Sequence, residues 1–219
     1  MREHAVTAAL TVSFQRYPYP PSGWVEALPR SRGALPLAPV APDRLLLACP
    51  SGEAFWIGLV AAPGAPPSRV GVVARLGSGE RVDLATGAAP AGRHPPGGFA
   101  VPPRFAVEGI ARPDGGWWPL ALDPPRPSAP ACAGLELTVW TGTAPPPPEA
   151  EGRPRPLHDP THPAGPPRRP PPPPAEAPAG PPARLGVDLV DAAGFEAATG
   201  RRLPRPAGDD DAYGGWRLP

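Results

Sequence analysis

Two histidines have the spacing that most often marks a metal site. His158 and His162 are four residues apart, which on an α-helix places both imidazole rings on one face. Pro160 lies between them, and proline is excluded from the interior of a helix. The spacing therefore does not indicate a metal site, and we predict neither a metal ion nor another cofactor.

Carboxylates and tryptophans are the second group of residues that could do chemistry. Paired acids hydrolyse glycosidic bonds, and a tryptophan offers a flat apolar ring with a polar edge. The candidate ligand-binding residues are Trp56 or Trp118 with Glu53 or Glu108. They define one functional hypothesis, a carbohydrate-binding or hydrolytic domain. The sequence has neither a G-x-S-x-G nucleophile motif nor a glycine-rich phosphate loop, so we assign no catalytic residue.

The two cysteines, Cys49 and Cys132, do not form a C-x-x-C pair. The first residues lack the basic and apolar regions of a secretory signal, so a cytoplasmic protein is expected. In that compartment buried free thiols are the expected state, and a disulfide is the alternative. No apolar run reaches the length of about 18 residues that spans a membrane.

Proline dominates the composition and is distributed unevenly. The chain has 43 prolines in 219 residues, far above the usual share of about 5%. They are densest in residues 144–183, where the chain cannot bury enough apolar surface to fold and polyproline II is favoured. We predict a disordered, semi-rigid tether there. The formal net charge of +1 favours neither nucleic acid nor a membrane surface as a partner.

Alternating apolar and polar residues predict an all-β domain over residues 1–143. Residues 5–14 fit one half-buried strand. Residues 69–76 and 80–84 fit a hairpin around Gly77-Ser78-Gly79, because glycine reaches the positive φ that tight turns need. About eight short strands without a helical period favour an antiparallel β-sandwich or a jelly-roll-like domain. Inward-facing side chains are expected at Phe55, Ile57 and Leu59 in one strand and at Leu135, Leu137 and Val139 in another.

Residues 184–219 form the third predicted unit. Leu185–Val190 alternates like a short strand, and Asp191 and Gly200 are suited to begin and end a small helix. An acidic run and aromatic residues spaced by glycines follow.

Three stretches together resemble a known family. They are residues 52–57 (GEAFWI), residues 101–110 (VPPRFAVEGI) and residues 114–116 (DGG). Their order is similar to that in a family of uncharacterised β-rich proteins from bacteria and fungi, which carries GEA(L/M)W, VPPQPWLDGI and, after a glycine, RQFVA. The resemblance covers residues 44–140. It implies a β-rich fold and no assigned activity, and residues 117–121 (WWPLA) replace the RQFVA segment.

The leading functional hypothesis is a non-catalytic interaction or assembly protein with a protein partner. A folded domain, a stiff spacer and an aromatic terminal segment suit a tethered docking peptide. The residues expected to dock are Phe195, Tyr213, Trp216 and Leu218. Docking in cis and docking in trans both remain open, as does the oligomeric state. A third possibility is that residues 185–190 add to an edge of the sandwich and stabilise it.

Overall fold

The structure, a computed structural model, describes residues 2–90, 98–142 and 181–203. Each of these ranges contains short strands. Within these ranges there are thirteen strands and one helix. The helix α1 is Ala192–Thr199, and the strands are β1 (Glu3–Thr7), β2 (Leu10–Pro18), β3 (Leu37–Ala41), β4 (Arg44–Ala48), β5 (Glu53–Ala61), β6 (Ser68–Leu76), β7 (Arg81–Asp83), β8 (Phe99–Val101), β9 (Ala106–Val107), β10 (Ile110–Ala111), β11 (Trp117–Trp118), β12 (Cys132–Thr141) and β13 (Ala183–Val190).

Two sheets face each other across one core. The small sheet has the order β1-β2-β5-β9, and the large sheet has the order β3-β4-β13-β12-β6-β7, with β8 also paired to β6. Strands β10 and β11 form a separate two-stranded ribbon. All of these pairs are antiparallel except β4 with β13. The predicted all-β, predominantly antiparallel fold is confirmed.

The main core follows the predicted alternation. Phe55, Ile57 and Leu59 of β5 are buried in the same cluster as the inward-facing residues of β12. Phe14 and Phe55 meet edge to face, with ring centroids 5.7 Å apart. Burying one such side chain stabilises the fold by about 1.5–3 kcal/mol before entropy is counted. The β12 residues in this cluster include Leu135, Leu137 and Val139.

The first predicted strand is instead a hairpin. Strand β1 turns at Ala8 and Ala9 and returns as β2, with Glu3 opposite Ser13. The Ala9 N–H donates to Thr7 Oγ1 at 3.1 Å. The expectation of one continuous strand was wrong because the alternation runs on through a turn that contains neither glycine nor proline.

The hairpin predicted around Gly77-Ser78-Gly79 is present. Strands β6 and β7 pair with Arg75 opposite Arg81, and the Leu76 N–H donates to the Glu80 carbonyl at 2.8 Å. Gly79 has φ of 88°, the left-handed region that favours glycine.

Strand β13 lies inside the large sheet, between β4 and β12. It runs parallel to β4, with Val187 opposite Leu45, and antiparallel to β12, with Leu135 opposite Val187. This position corrects one expectation: residues 185–190 do not add to an edge of the sandwich, because β13 is paired on both sides. A strand with hydrogen-bonded neighbours on both sides places its alternating Leu185, Val187 and Leu189 in the shared core.

Helix α1 follows β13 directly and covers part of the large sheet. As predicted, the Asp191 side chain caps it by accepting from the Gly194 N–H at 2.7 Å, and it ends at Gly200 with φ of 68°. Such a cap is worth about 1 kcal/mol. The helix has eight residues, and no helix in the described ranges is long and apolar enough to cross a bilayer.

The helix buries Phe195 against the outer face of the large sheet. Its side chain is 1% exposed and packs with Ala38, Leu46 and Ala48. The prediction that Phe195 docks to a partner is therefore wrong, because the ring is already in an intramolecular core. The other predicted docking residues, Tyr213, Trp216 and Leu218, and almost all of the predicted tether lie outside the described residues.

Candidate functional site

Glu53, the first residue of β5, is held at one end of the sandwich by an arginine. Its Oε2 lies 3.7 Å from Arg16 Nη1, and the Arg16 side chain is itself 7% exposed. Burial raises the pKa of the Glu53 carboxyl, while the positive charges of Arg16 and Arg32 partly oppose that shift. The carboxylate is therefore part of a buried ion pair rather than a free acid facing a substrate.

Glu108 is engaged in the same way. The Arg104 guanidinium pairs with Glu108 Oε2 at 2.5 Å and donates from Nε to the Ala106 carbonyl at 2.9 Å. The guanidinium also lies over the Phe99 ring, 5.0 Å from its centroid. These contacts fix Glu108 beside the short strand β9.

Trp56 points away from the main core, as the alternation predicts, but it is not an open platform. Its indole Nε1 donates to the Pro29 carbonyl at 3.0 Å. The ring packs against a second buried cluster that includes Tyr17, Tyr19 and Val25. Trp56 is thus covered by residues 19–36, which we call the covering segment.

Trp118 belongs to an aromatic and cationic stack. The Arg112 guanidinium lies 4.6 Å from the Trp118 ring centroid and 4.7 Å from that of Trp24. Contacts of this kind contribute about 0.5–2 kcal/mol, more when desolvated. Trp117 and Trp118 are both partly buried.

The four residues of the carbohydrate hypothesis therefore do not converge on one open site. Among the described residues, no group of three or more His, Cys, Asp and Glu side chains is arranged to hold a metal ion. Both cysteines are buried free thiols. The expected free state is confirmed, and the described residues contain no C-x-x-C or disulfide.

The far end of the covering segment runs antiparallel beside β2 and is hydrogen-bonded to it, with Ala34 opposite Gln15. The Arg16 N–H donates to the Gly33 carbonyl at 3.0 Å, and the Leu35 N–H donates to the Phe14 carbonyl at 2.7 Å. Ser31 Oγ donates to Gln15 Oε1 at 2.7 Å. The segment is anchored at its far end by these bonds and in its middle by Trp56.

A pocket of about 440 Å³ opens between the end of β2 and the covering segment. We call it the Tyr17–Arg32 pocket. Prolines form much of the pocket wall. They hold the chain extended and present apolar rings without N–H groups. It is lined by Tyr17, Pro18, Tyr19, Pro20, Pro21, Val25, Pro29, Arg30 and Arg32.

The charged side chains that line this pocket are all positive. The lining residues include Arg30 and Arg32 and no acidic residue. At another lining residue, the Arg126 guanidinium donates to the Pro21 carbonyl. An apolar concavity with arginines at its wall suits a ligand that is partly apolar and partly anionic.

Tyr17 supplies a further polar atom. The residue is 3% exposed, and its hydroxyl has no hydrogen-bond partner among the described residues. Burial, followed by the nearby Tyr19 and Cys49, raises the pKa of the Tyr17 phenol well above its ordinary value. The hydroxyl is therefore a neutral O–H, and its oxygen is buried.

Sequence reasoning missed this pocket. It assigned no functional role to residues 17–42. The available signal was the alternation Tyr17-Pro18-Tyr19-Pro20-Pro21 followed by Arg30 and Arg32. Aromatic rings, prolines and arginines within one surface segment are the composition of many peptide-binding surfaces.

No family model matches this chain, and comparisons with curated proteins and with solved structures find no match either. The resemblance to the β-rich family with GEA(L/M)W therefore stays a prediction from residues 44–140. The case for a function rests on the chemistry of the site.

Proposed function

We propose that this chain is a non-catalytic interaction domain that binds a short acidic peptide with an aromatic residue in the Tyr17–Arg32 pocket. The observation that carries the proposal is the lining of that pocket: tyrosines and prolines with two arginines and no carboxylate. Such a surface recognises charge and apolar shape together, and it contains no group suited to break a bond.

The size of the pocket fits one aromatic side chain and its neighbours. Ligand pockets span about 300–1,000 Å³, and this pocket, at about 440 Å³, is at the small end. An aromatic side chain of the peptide would enter against Tyr19 and Val25. A flanking carboxylate would accept charge-assisted hydrogen bonds from Arg30 or Arg32, each worth about 1.5–3 kcal/mol.

A protein partner follows from this chemistry, and nucleic acid does not. A nucleic acid would need a broad basic surface, whereas the chain has a formal net charge of +1. The proposal of a cytoplasmic location rests on the sequence alone. The carbohydrate alternative has no support of its own, because Trp56 and Trp118 are engaged by Pro29 and Arg112.

The test measures binding of a fluorescein-labelled peptide with the sequence of residues 207–218 (AGDDDAYGGWRL) by fluorescence anisotropy. Because the chain itself carries this sequence, the protein used is full length with Asp209, Asp210, Asp211 and Trp216 changed to serine. This tail-substituted chain has no internal competitor. We expect saturable binding.

The pocket is tested by adding Arg30→Gln and Arg32→Gln to the tail-substituted chain. We expect the affinity to fall by about tenfold or more, since two charge-assisted contacts are lost. The matched control, Arg2→Gln with Arg184→Gln, removes the same charge from exposed positions elsewhere and should change the affinity less than about twofold. No binding, or equal losses in both double variants, would overturn the proposed function.

A further inference from the structure

We infer that β13 and α1 of one copy of this chain insert between β4 and β12 of a second copy, so that two copies exchange this part and form a dimer. We call residues 183–203 the β13–α1 unit. The surface that receives it is the slot between β4 and β12, which the chain's own β13 fills in the described fold. Such exchange goes beyond the proposed function and does not depend on the Tyr17–Arg32 pocket.

The slot recognises a strand through both of its edges. Strand β13 pairs with β12 over six positions and with β4 over five. Val187, for example, lies opposite Leu135 on one side and opposite Leu45 on the other. Without β13, the facing edges of β4 and β12 would present unpaired N–H and C=O groups. A strand from a second copy satisfies them with the same main-chain bonds.

The connection that leads to the unit is much longer than pairing within one chain requires. Val139 of β12 lies opposite Ala183 of β13, so the end of one strand is beside the start of the next. Two to five residues are commonly enough to join antiparallel neighbours. Here 41 residues, 142–182, separate the two strands. They span at most about 140 Å, whereas a compact domain of on the order of 150 residues is about 40 Å across. The slot of a neighbouring copy is therefore within reach.

The composition of residues 142–182 favours exchange over closure within one chain. Eighteen of those 41 residues are proline, and proline-rich chains favour extended polyproline II. A stiff, extended chain resists the return of its ends to two neighbouring strands. A link between two copies does not have to bring its ends together.

The unit carries its own apolar anchors. Leu185, Val187 and Leu189 enter the main core, and Phe195 of α1 packs against side chains of β3 and β4. These are contacts between the unit and the rest of the fold, so they are the same whether the unit comes from the same chain or from a second one. Exchange of an identical element therefore sacrifices none of them.

Asp188 fixes the register in which the unit enters the slot. Its carboxylate pairs with Arg44 Nε of β4 at 2.7 Å and with Arg75 Nη2 of β6 at 2.5 Å. Gly134 of β12 leaves room, since a Cβ there would lie 2.6 Å from Arg75 Nη2 and 2.8 Å from the Val187 carbonyl oxygen. A slip by one residue would separate Asp188 from both arginines and turn the apolar side chains away from the core. The slot thus suits this chain's own sequence, which makes a second copy the partner.

The outer edges of the two sheets are less suitable for joining two copies. Strand β3 contains Pro39, which has no N–H to offer a new strand. Strands β7 and β9 have three and two residues. Strand β1 is irregular between Ala5 and Thr7. Short, proline-bearing or bulged edges disfavour pairing with another chain.

The test detects exchange through a disulfide between copies. Thr138 on β12 lies opposite Arg184 on β13, and paired Cα atoms at about 4.5–5.5 Å permit a disulfide. Isotope-labelled full-length Thr138→Cys is mixed with unlabelled full-length Arg184→Cys. The two are unfolded in urea, refolded together at high protein concentration under reducing conditions, and then oxidised with glutathione disulfide. We expect a covalent dimer that mass spectrometry shows to be joined at positions 138 and 184.

Two controls define the yield. The full-length chain with both substitutions, refolded at low protein concentration, should form the disulfide within one chain, which shows that the pair is correctly placed. Thr138→Cys mixed with Ser78→Cys, at the exposed β6–β7 turn, measures random collision between copies. Its covalent dimer should be at least tenfold less abundant.

Each outcome decides the matter. A yield no higher than that of the Ser78→Cys mixture, while the double variant closes within one chain, would overturn exchange and leave β13 supplied only in cis. Absence of the disulfide in the double variant would contradict the pairing of β12 with β13 on which exchange depends. Neither result bears on peptide binding in the Tyr17–Arg32 pocket, which fluorescence anisotropy tests separately.

Discussion

The indole Nε1 of Trp56 donates to the carbonyl oxygen of Pro29 at 3.0 Å, which joins the small sheet to the segment that covers it. Pro29 is one of the residues that line the Tyr17–Arg32 pocket, so this bond supports one wall of the pocket. A tryptophan that by sequence resembles a sugar platform thus acts as a support for a pocket wall.

Replacing Trp56 by phenylalanine should weaken peptide binding without abolishing folding. The ring is retained and the hydrogen bond to Pro29 is lost, which costs about 0.5–1.5 kcal/mol of stability. The pocket wall is then less well fixed, so we expect the affinity of the tail-substituted chain for the 207–218 peptide to fall severalfold. Urea unfolding and fluorescence anisotropy measure the two effects.

Trp118→Phe is the matched control, since Trp118 stacks on Arg112 and does not line the pocket. It should leave peptide affinity within about twofold of the parent. Equal loss of affinity in both variants would show that the Trp56 bond has no particular role in the pocket.

Phe195→Ala should destabilise the whole sandwich. The ring is 1% exposed between α1 and the large sheet, and a buried Phe→Ala change costs about 3–5 kcal/mol. Glu196→Ala, on the same helix, removes only an exposed ion pair with Arg202 and should cost less than about 0.5 kcal/mol. Chemical denaturation checks both. A Phe195 variant of unchanged stability would mean that the ring is available for docking after all.

The two thiols should be unreactive in the folded protein. Burial raises the pKa of Cys49 to about 11 and that of Cys132 to about 12, so both are protonated as well as inaccessible at neutral pH. Ellman's reagent at about pH 8 should detect no thiol until denaturant is added, and then both cysteines.

An exposed cysteine at the β6–β7 turn, Ser78→Cys, provides the positive control and should react at least about a hundredfold faster. Rapid modification of Cys49 or Cys132 in native buffer would contradict the packing described for the core.

The free energy of unfolding should depend on pH through the carboxyl group of Glu53. Burial raises the folded-state pKa of its carboxyl above the ordinary value of 4.5, although Arg16 and Arg32 oppose the shift. A raised pKa means that the folded state binds the proton more tightly than the unfolded state. The associated stability is present below about pH 4.5 and is lost as the pH rises through the folded-state pKa.

The free energy of unfolding of the natural chain, minus that of Glu53→Gln, should therefore decrease from about pH 4 to about pH 7. Urea titrations across that range measure the difference. Glu26→Gln, which removes an exposed acid of the covering segment, is the control for the loss of one negative charge. An increase of this difference with pH would contradict a raised pKa of Glu53 in the folded state.

Several elements of the fold were predictable because their signals are local. The β6–β7 hairpin follows from a glycine turn between alternating segments, and α1 follows from Asp191 and Gly200 at its ends. The hairpin of β1 and β2 was not predictable, since Ala8 and Ala9 carry no turn signal.

The position of β13 depends on long-range pairing. Its sequence shows an apolar alternation, but alternation does not distinguish an edge strand from one with two neighbours. The partners β4 and β12 are far away in the chain, with Leu45 and Leu135 opposite Val187. Deleting residues 184–219 would remove an interior strand, so changes in the tail are better made by substitution.

Only the residue types of the candidate site could be predicted from the sequence. Aromatic residues and carboxylates were identified by type, but their partners, Pro29 for Trp56 and Arg104 for Glu108, are set by tertiary contacts. The pocket likewise arises where β2 meets the covering segment, and no single stretch of sequence specifies that meeting.

The most direct measurement of the central proposal is a two-dimensional NMR titration of the isotope-labelled, tail-substituted full-length chain with the 207–218 peptide. Binding in the Tyr17–Arg32 pocket predicts saturable shifts of the backbone amides of Tyr19, Val25 and Arg30 and of the Trp56 indole N–H. The amides of β13 and the Trp118 indole should stay unchanged. Absence of shifts, or shifts centred on the large sheet or on Trp118, would contradict the account.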